Sequence, residues 1–197
     1  MQVTNKKQLR SFYKQQRCCM DKSVKTDLDA KIAQKLLDSE MYKTCDDLLV
    51  YVSFGIEVDT LEIIRQALAE KNVYCPRCVE GTNIMEFYKI SSFADLQQGS
   101  YGILEPQINS DTLNGFGKNA LCVVPALSYD KKGYRLGFGK GYYDRFLSGF
   151  DGVSVGICYD NCLIDELPSD KFDICVDHLI TENKSVSFGL RKEEIYG

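Results

Sequence analysis

The chain has 197 residues, 44% of them hydrophobic and 26% charged, and its 24 Lys and Arg against 28 Asp and Glu give a net charge of -4. A chain of this size buries about 70% of its unfolded surface and needs no disulfide or metal staple, which excludes disorder and a mini-scaffold. The acidic balance lacks the basic footprint of a general nucleic-acid binder.

The longest nearly apolar run, Ala120 to Leu127, is broken by Pro125 and falls far short of the ~20 residues of a membrane helix. No apolar stretch backs the charged start, so the protein is expected to be cytoplasmic, without membrane partners. Nine cysteines are fewer than a disulfide scaffold carries and are read as free thiols. Cys75-Pro-Arg-Cys78 and Cys158-x-x-x-Cys162 resemble two halves of a four-thiolate zinc site. The second spacing is loose, however, and Cys75 lies in an apolar stretch where cysteine acts as a small hydrophobe.

In chain order, Thr4 or Asn5 caps a first helix with Leu9, Phe12 and Tyr13 on its apolar side. A second helix carries Val24, Leu28, Ile32 and Leu36, one every four residues. Leu48 to Val52 is a continuous apolar run, the pattern of a strand buried on both faces. Asp59 or Thr60 caps a helix with Leu61, Ile64 and Leu68, and a strand from Val73 to Cys78 follows. Residues 82–90 alternate loosely as a further strand, and Ser91 to Gly117 reads as loop. Leu121 to Pro125 is a second doubly buried strand. After a long glycine-bearing loop, Tyr142 to Phe150 reads as a helix, and Val153 to Cys158 and Ile174 to Ile180 as strands. This alternation predicts one α/β domain over 1–197 with a mostly parallel sheet and helices on both faces. Ligands then belong at the carboxyl ends of the strands, in the loops after Val52 and Val124.

The segment Tyr129 to Phe146, YDKKGYRLGFGKGYYDRF, fits neither the dinucleotide nor the P-loop signature. Its chemistry nevertheless suits a polyphosphate. Gly137, Gly139 and Gly141 let the backbone approach a ligand, Arg135 and Lys140 supply cations, and a helix starting near Gly141 offers unpaired N–H groups. Asp144, in that helix, is placed to hold magnesium beside the same phosphates.

The string VVPALSYDKKGYRLGFGKGYYDRF resembles the signature of the 5-formyltetrahydrofolate cyclo-ligase family. Other segments agree in order: Lys6-x-x-Leu9-Arg10, Tyr51-Val52-Ser53 through Glu57 and Thr60, Tyr74 to Arg77 with Met85-x-Phe87, Gly102-x-x-Glu105-Pro106, and Leu167-Pro168 through Asp173, Asp177 and Thr181-Glu182. The likeness implies a three-layer α/β/α domain of the NagB/RpiA/CoA-transferase-like kind, with a mostly parallel central sheet, and a monomer rather than an obligate oligomer. It implies ATP-dependent cyclisation of 5-formyltetrahydrofolate to 5,10-methenyltetrahydrofolate, with ATP as co-substrate and Mg2+ as cofactor.

By the same resemblance, ATP is met by Lys6, Arg10, Arg135, Leu136, Gly137, Phe138, Gly139, Lys140, Gly141, Tyr142 and Tyr143. Val52, Glu57, Tyr101, Lys140 and Tyr142 contact the folate, Lys140, Arg135 and Tyr142 are catalytic, and Asp144 and Asp173 hold the metal. Two rival readings remain on the sequence. A non-catalytic nucleotide sensor, or a thiol or metal sensor, would use the glycine loop or the cysteines alone. A serine hydrolase would use Gly152-Val153-Ser154-Val155-Gly156, which matches GxSxG, with the single histidine, His178, downstream; but Ser154 lies in a strand pattern, not at a strand-to-helix turn.

Overall fold

The structure, a computed structural model, describes residues 5–99, 102–107 and 115–189. Three helices open the chain: α1 (Lys6–Cys18), α2 (Lys22–Asp38) and α3 (Glu40–Thr44). Asn5, rather than Thr4, which lies outside the described residues, caps α1: its side chain accepts the Gln8 N–H. Leu9 and Tyr13 are buried as expected, whereas Phe12 is exposed. In α2 the four-residue stripe is only half used. Ile32 and Leu36 are buried and Val24 is exposed, because a step of four residues gains about 40° per repeat on a 3.6-residue helix and walks off the core. Ala33 and Leu37 complete the buried face.

The remaining elements in order are β1 (Asp47–Val50), α4 (Leu61–Ala67), β2 (Asn72–Cys78), β3 (Met85–Ile90), β4 (Leu96–Gln98), β5 (Leu104–Pro106), β6 (Ala120–Val124), β7 (Ser128–Asp130), β8 (Arg135–Leu136), α5 (Tyr142–Ser148), β9 (Val153–Ile157), β10 (Leu163–Ile164), β11 (His178–Ile180) and β12 (Ser185–Ser187). Seven of these strands make one sheet in the order β12-β11-β9-β6-β1-β2-β3. The five inner strands run parallel, and only the edges, β12 and β3, are antiparallel. Consecutive residues Leu48, Leu49 and Val50, and likewise Leu121 to Val124, are wholly buried, which requires both faces of the sheet to be covered. The pairing of β2 with β1 ends at Tyr74, two residues before Pro76, which has no N–H to donate.

Several segments read as loop hold short strands. β4 and β5 form a hairpin within 91–117, and β7 and β8 form another before the glycine loop. The strand expected from Ile174 is reduced to β11. Its first residues have other commitments: the Ile174 N–H donates to Asp144 and the Ile174 carbonyl accepts from Arg135, so neither group can enter the sheet.

Candidate active site

Because the inner strands are parallel, their carboxyl ends share one edge of the sheet, and loops from β1, β6, β9 and β11 meet there. The loop after β1, residues 53–60, is pinned by its own side chains. Thr60 Oγ1 donates to the Tyr51 carbonyl at 2.6 Å, Tyr51 Oη donates to the Val58 carbonyl at 2.9 Å, and Ser53 Oγ donates to Asp59 at 3.1 Å. Glu57 sits at the turn, where its carboxylate accepts the Phe54 N–H at 2.9 Å. Burial pushes the Glu57 carboxyl up, partly offset by that N–H and by Arg17. Val52, leading into this loop, is buried. Tyr101 lies outside the described residues.

The chain leaving β6 turns through the β7–β8 hairpin, which is set by Asp130. This buried carboxylate accepts the N–H groups of Lys132, Tyr134 and Leu167, and Gly133 takes the left-handed φ of +83° that the turn requires. The hairpin delivers Arg135 and Leu136, then the glycine loop. Leu136 is a core side chain. Gly139 and Gly141 have φ of +107° and +70°, a region that other residues rarely adopt. At Gly139 an added Cβ would also stand 3.4 Å from the Arg10 guanidinium carbon.

Two turns of α1 close on this loop. Lys6 and Arg10, four residues apart, share a helix face. Arg10 Nε donates to the Gly137 carbonyl at 2.9 Å, and Lys6 Nζ reaches Asp173 at 2.5 Å and Asp170 at 3.3 Å. Burial lowers the affinity of Lys6 for its proton, but the two carboxylates outweigh it and hold the ammonium above the ordinary lysine range. Lys140 is exposed and makes no ion pair among the described residues, while its carbonyl accepts from Arg145 at 2.9 Å. Phe138 is exposed, with Lys14 Nζ 5.6 Å from its ring centre.

Arg135 is committed to acceptors within the protein. Its side chain is only 4% exposed, and its terminal nitrogens donate to the Ile174 carbonyl at 2.7 Å and to Asp144 Oδ1 at 2.6 Å. The same Asp144 oxygen accepts the Ile174 N–H at 3.2 Å, so Asp144 and Asp173 are joined through the residue next to Asp173. Asp144 Oδ2 and Asp173 Oδ1 bond to no described residue. Two hard carboxylate oxygens beside the glycine loop are the donor type that magnesium takes, one or two carboxylates with water and phosphate oxygens filling the rest of its shell.

Tyr142 opens α5, with Gly141 as its N-cap residue. Phe146 packs 4.6 Å from Phe87 and 5.2 Å from Phe150, centre to centre, anchoring the helix on β3. The Tyr143 hydroxyl is buried with no hydrogen-bond partner among the described residues. Sequence reasoning missed Asp130, Arg145, Asp170 and Arg17. Of these only Asp130 carried a local signal, an Asp opening a turn that ends in Gly133.

The rival constellations are not assembled. Cys75 and Cys78 lie three apart on β2, where alternation sends side chains to opposite faces, and Cys75 is buried while Cys78 is exposed. Ser154 lies within β9, fully buried, and its hydroxyl donates to Asp177 at 2.7 Å. The flanking glycines are packing positions: a Cβ on Gly156 would meet the Tyr129 ring, and one on Gly152 the Ala120 carbonyl. No strand-to-helix elbow is present at Ser154.

The sequence matches the model of the 5-formyltetrahydrofolate cyclo-ligase family over residues 2–182. Among solved structures, the 5,10-methenyltetrahydrofolate synthetase of Aquifex aeolicus is similar with a TM-score of 0.82 at 32% identity, covering 93% of this chain and 92% of that one. That of Mycoplasma pneumoniae gives 0.72 at 26% identity, covering 91% and 99%. A mitochondrial 5-formyltetrahydrofolate cyclo-ligase of Arabidopsis thaliana is 28% identical over 227 residues, 96% of this chain and 82% of its own.

Proposed function

The chain belongs to the 5-formyltetrahydrofolate cyclo-ligase family, and from that premise we propose that it closes 5-formyltetrahydrofolate to 5,10-methenyltetrahydrofolate at the expense of ATP, with the residue roles that follow. The observation that carries this reading is the convergence of α1, the glycine loop and the Glu57 loop at one edge of the sheet. Arg10 fixes the glycine loop through Gly137, and Arg145 fixes it through Lys140.

The formyl oxygen is a poor leaving group. Transfer of the γ-phosphoryl to it breaks the bond to the bridging oxygen of ADP and gives an iminium phosphate. Nitrogen 10 then attacks the formyl carbon, and inorganic phosphate departs with the original formyl oxygen, while the nitrogen 10 proton passes to solvent. The protein's task is to align the reactants and neutralise moving charge.

Lys140, with no ion pair among the described residues, supplies the cation that follows the transferred phosphoryl. Gly137 to Gly141 give it close backbone contact, and Lys6 and Arg10 border the phosphates from α1. Arg135 acts through Asp144, which it holds in place. Asp144 and Asp173 would hold magnesium, which supplies charge neutralisation at the phosphates. Glu57 bonds the pterin, with Val52 and Tyr142 beside it.

Mixing the protein with 5-formyltetrahydrofolate, ATP and magnesium and following the near-ultraviolet absorption of the methenyl product tests this directly. ATP-dependent growth of that band is expected. Folded protein with no such growth contradicts the reading.

A further inference from the structure

One side chain outside the roles above reaches three of the four loops at the active edge. Arg17, in the last turn of α1, is 4% exposed. Its Nη2 donates to the carbonyls of Ala126 and Leu127, at 2.7 and 2.8 Å, and approaches Cys158 Sγ at 3.3 Å. Its Nη1 donates to the Ile56 carbonyl at 3.4 Å. Ile56 precedes Glu57 in the loop after β1, Ala126 and Leu127 form the stem that leads to the β7–β8 hairpin, and Cys158 follows β9. The guanidinium lies 5.2 Å from the centre of the Tyr159 ring. Tyr159 Oη in turn donates to Asp29 at 2.7 Å, and the same Asp29 oxygen accepts the Asp59 N–H at 3.2 Å, on the far side of Glu57.

Arg17 makes no ion pair with a carboxylate among the described residues. A desolvated guanidinium spending its donors on backbone carbonyls of separate loops is costly to bury. Its planar fork meets Ile56 with one terminal nitrogen and Ala126 and Leu127 with the other, a span that the single nitrogen of a lysine ammonium does not have.

We propose that Arg17, backed by Tyr159 and Asp29, is a positioning residue for the reaction: it holds the Glu57 loop in register with the stem of the glycine loop, and so sets the bound folate against the transferred phosphoryl. This rests on the function assigned above. The glycine loop keeps separate anchors at Arg10 and Arg145, so the defect from losing Arg17 falls on the folate side.

Arg17→Lys tests it, with kinetic constants expressed per folded molecule and with amide hydrogen exchange read over residues 53–60 and 126–127. The expected result is a loss of about 100-fold in kcat/KM for 5-formyltetrahydrofolate, the size that a misplacement near 1 Å brings. KM for ATP stays near the wild-type value, and both segments exchange faster. A merely structural role lowers the melting temperature and the yield but leaves the constants of the folded fraction alone, and that result overturns the proposal. If Arg17→Lys does not fold, Tyr159→Phe removes only the hydroxyl donated to Asp29: a raised folate KM with faster exchange at 53–60 supports the proposal, and unchanged values overturn it. Absence of turnover in the wild type would instead fall on the assigned function, with the exchange measurement still deciding whether Arg17 joins the loops.

Discussion

Arg135 and Asp144 stand 2.6 Å apart, Nη2 to Oδ1, and the carboxylate oxygen that meets the guanidinium is the one that also receives the Ile174 N–H. The second oxygen bonds to no described residue, and the two fixed donors orient the carboxylate, as neighbouring groups would for the magnesium role proposed for it. Asp144→Asn keeps the shape but removes the charge. The magnesium concentration for half-maximal turnover should rise about tenfold or more, with the folate Kd little changed. A magnesium titration identical to wild type would transfer the role to Asp173.

Lys140 should matter more to the transition state than to either bound substrate, because negative charge moves during the step it borders. Lys140→Ala is expected to lower kcat about 100-fold, comparable to removal of one preorganised charge-stabilising donor. Lys131 and Lys132 are the controls, since each is exposed and paired, with Asp165 at 2.6 Å and Glu166 at 2.8 Å. Single-turnover ring closure separates the cases: equal losses in all three variants would reduce the effect to general electrostatics.

Ser154 bonds to Asp177 three ways, through its N–H, its hydroxyl and the Asp177 N–H. Ser154→Ala should therefore cost about 1–3 kcal/mol of stability by leaving buried groups short of partners, yet leave kcat per folded molecule intact. His178→Ala should likewise spare turnover. Denaturant unfolding beside steady-state kinetics makes the comparison, and a loss of kcat at full folding would revive the hydrolase reading.

Burial pushes the Cys75 thiol up to about 12, whereas a thiol in the unfolded chain titrates near 8.5. Between these values the unfolded state has lost a proton that the folded state keeps, so stability falls as pH rises. The contribution is complete below about pH 8.5, and the expected slope is about 1.4 kcal/mol per pH unit while the gap lasts. Cys75→Ala should flatten the alkaline limb of a stability profile even though it lowers the neutral plateau by creating a cavity. An alkaline limb of unchanged slope would contradict the assignment.

Much of the fold is written in local pattern. Leu48 to Val50 and Leu121 to Val124 declare doubly buried strands because a parallel sheet demands unbroken apolar runs. The glycine loop is equally legible, since Gly139 and Gly141 occupy backbone regions that few residues other than glycine fill. What sequence hides is commitment at a distance. Ile174 belongs to an apolar stretch but surrenders its backbone to Arg135 and Asp144, which shortens β11. Arg17 reads as one more solvated helix cation, and its burial follows only from where three loop carbonyls converge. Arg135, read as a phosphate clamp, has both terminal nitrogens engaged by protein acceptors.

In the proposed reaction the phosphoryl group moves onto the formyl oxygen. 5-Formyltetrahydrofolate carrying oxygen-18 in its formyl group, turned over with unlabelled ATP and magnesium, gives the most direct test by mass analysis of the released phosphate. One labelled oxygen is expected in each phosphate, with one ADP formed per ring closed. Label recovered in water, with unlabelled phosphate, would contradict it.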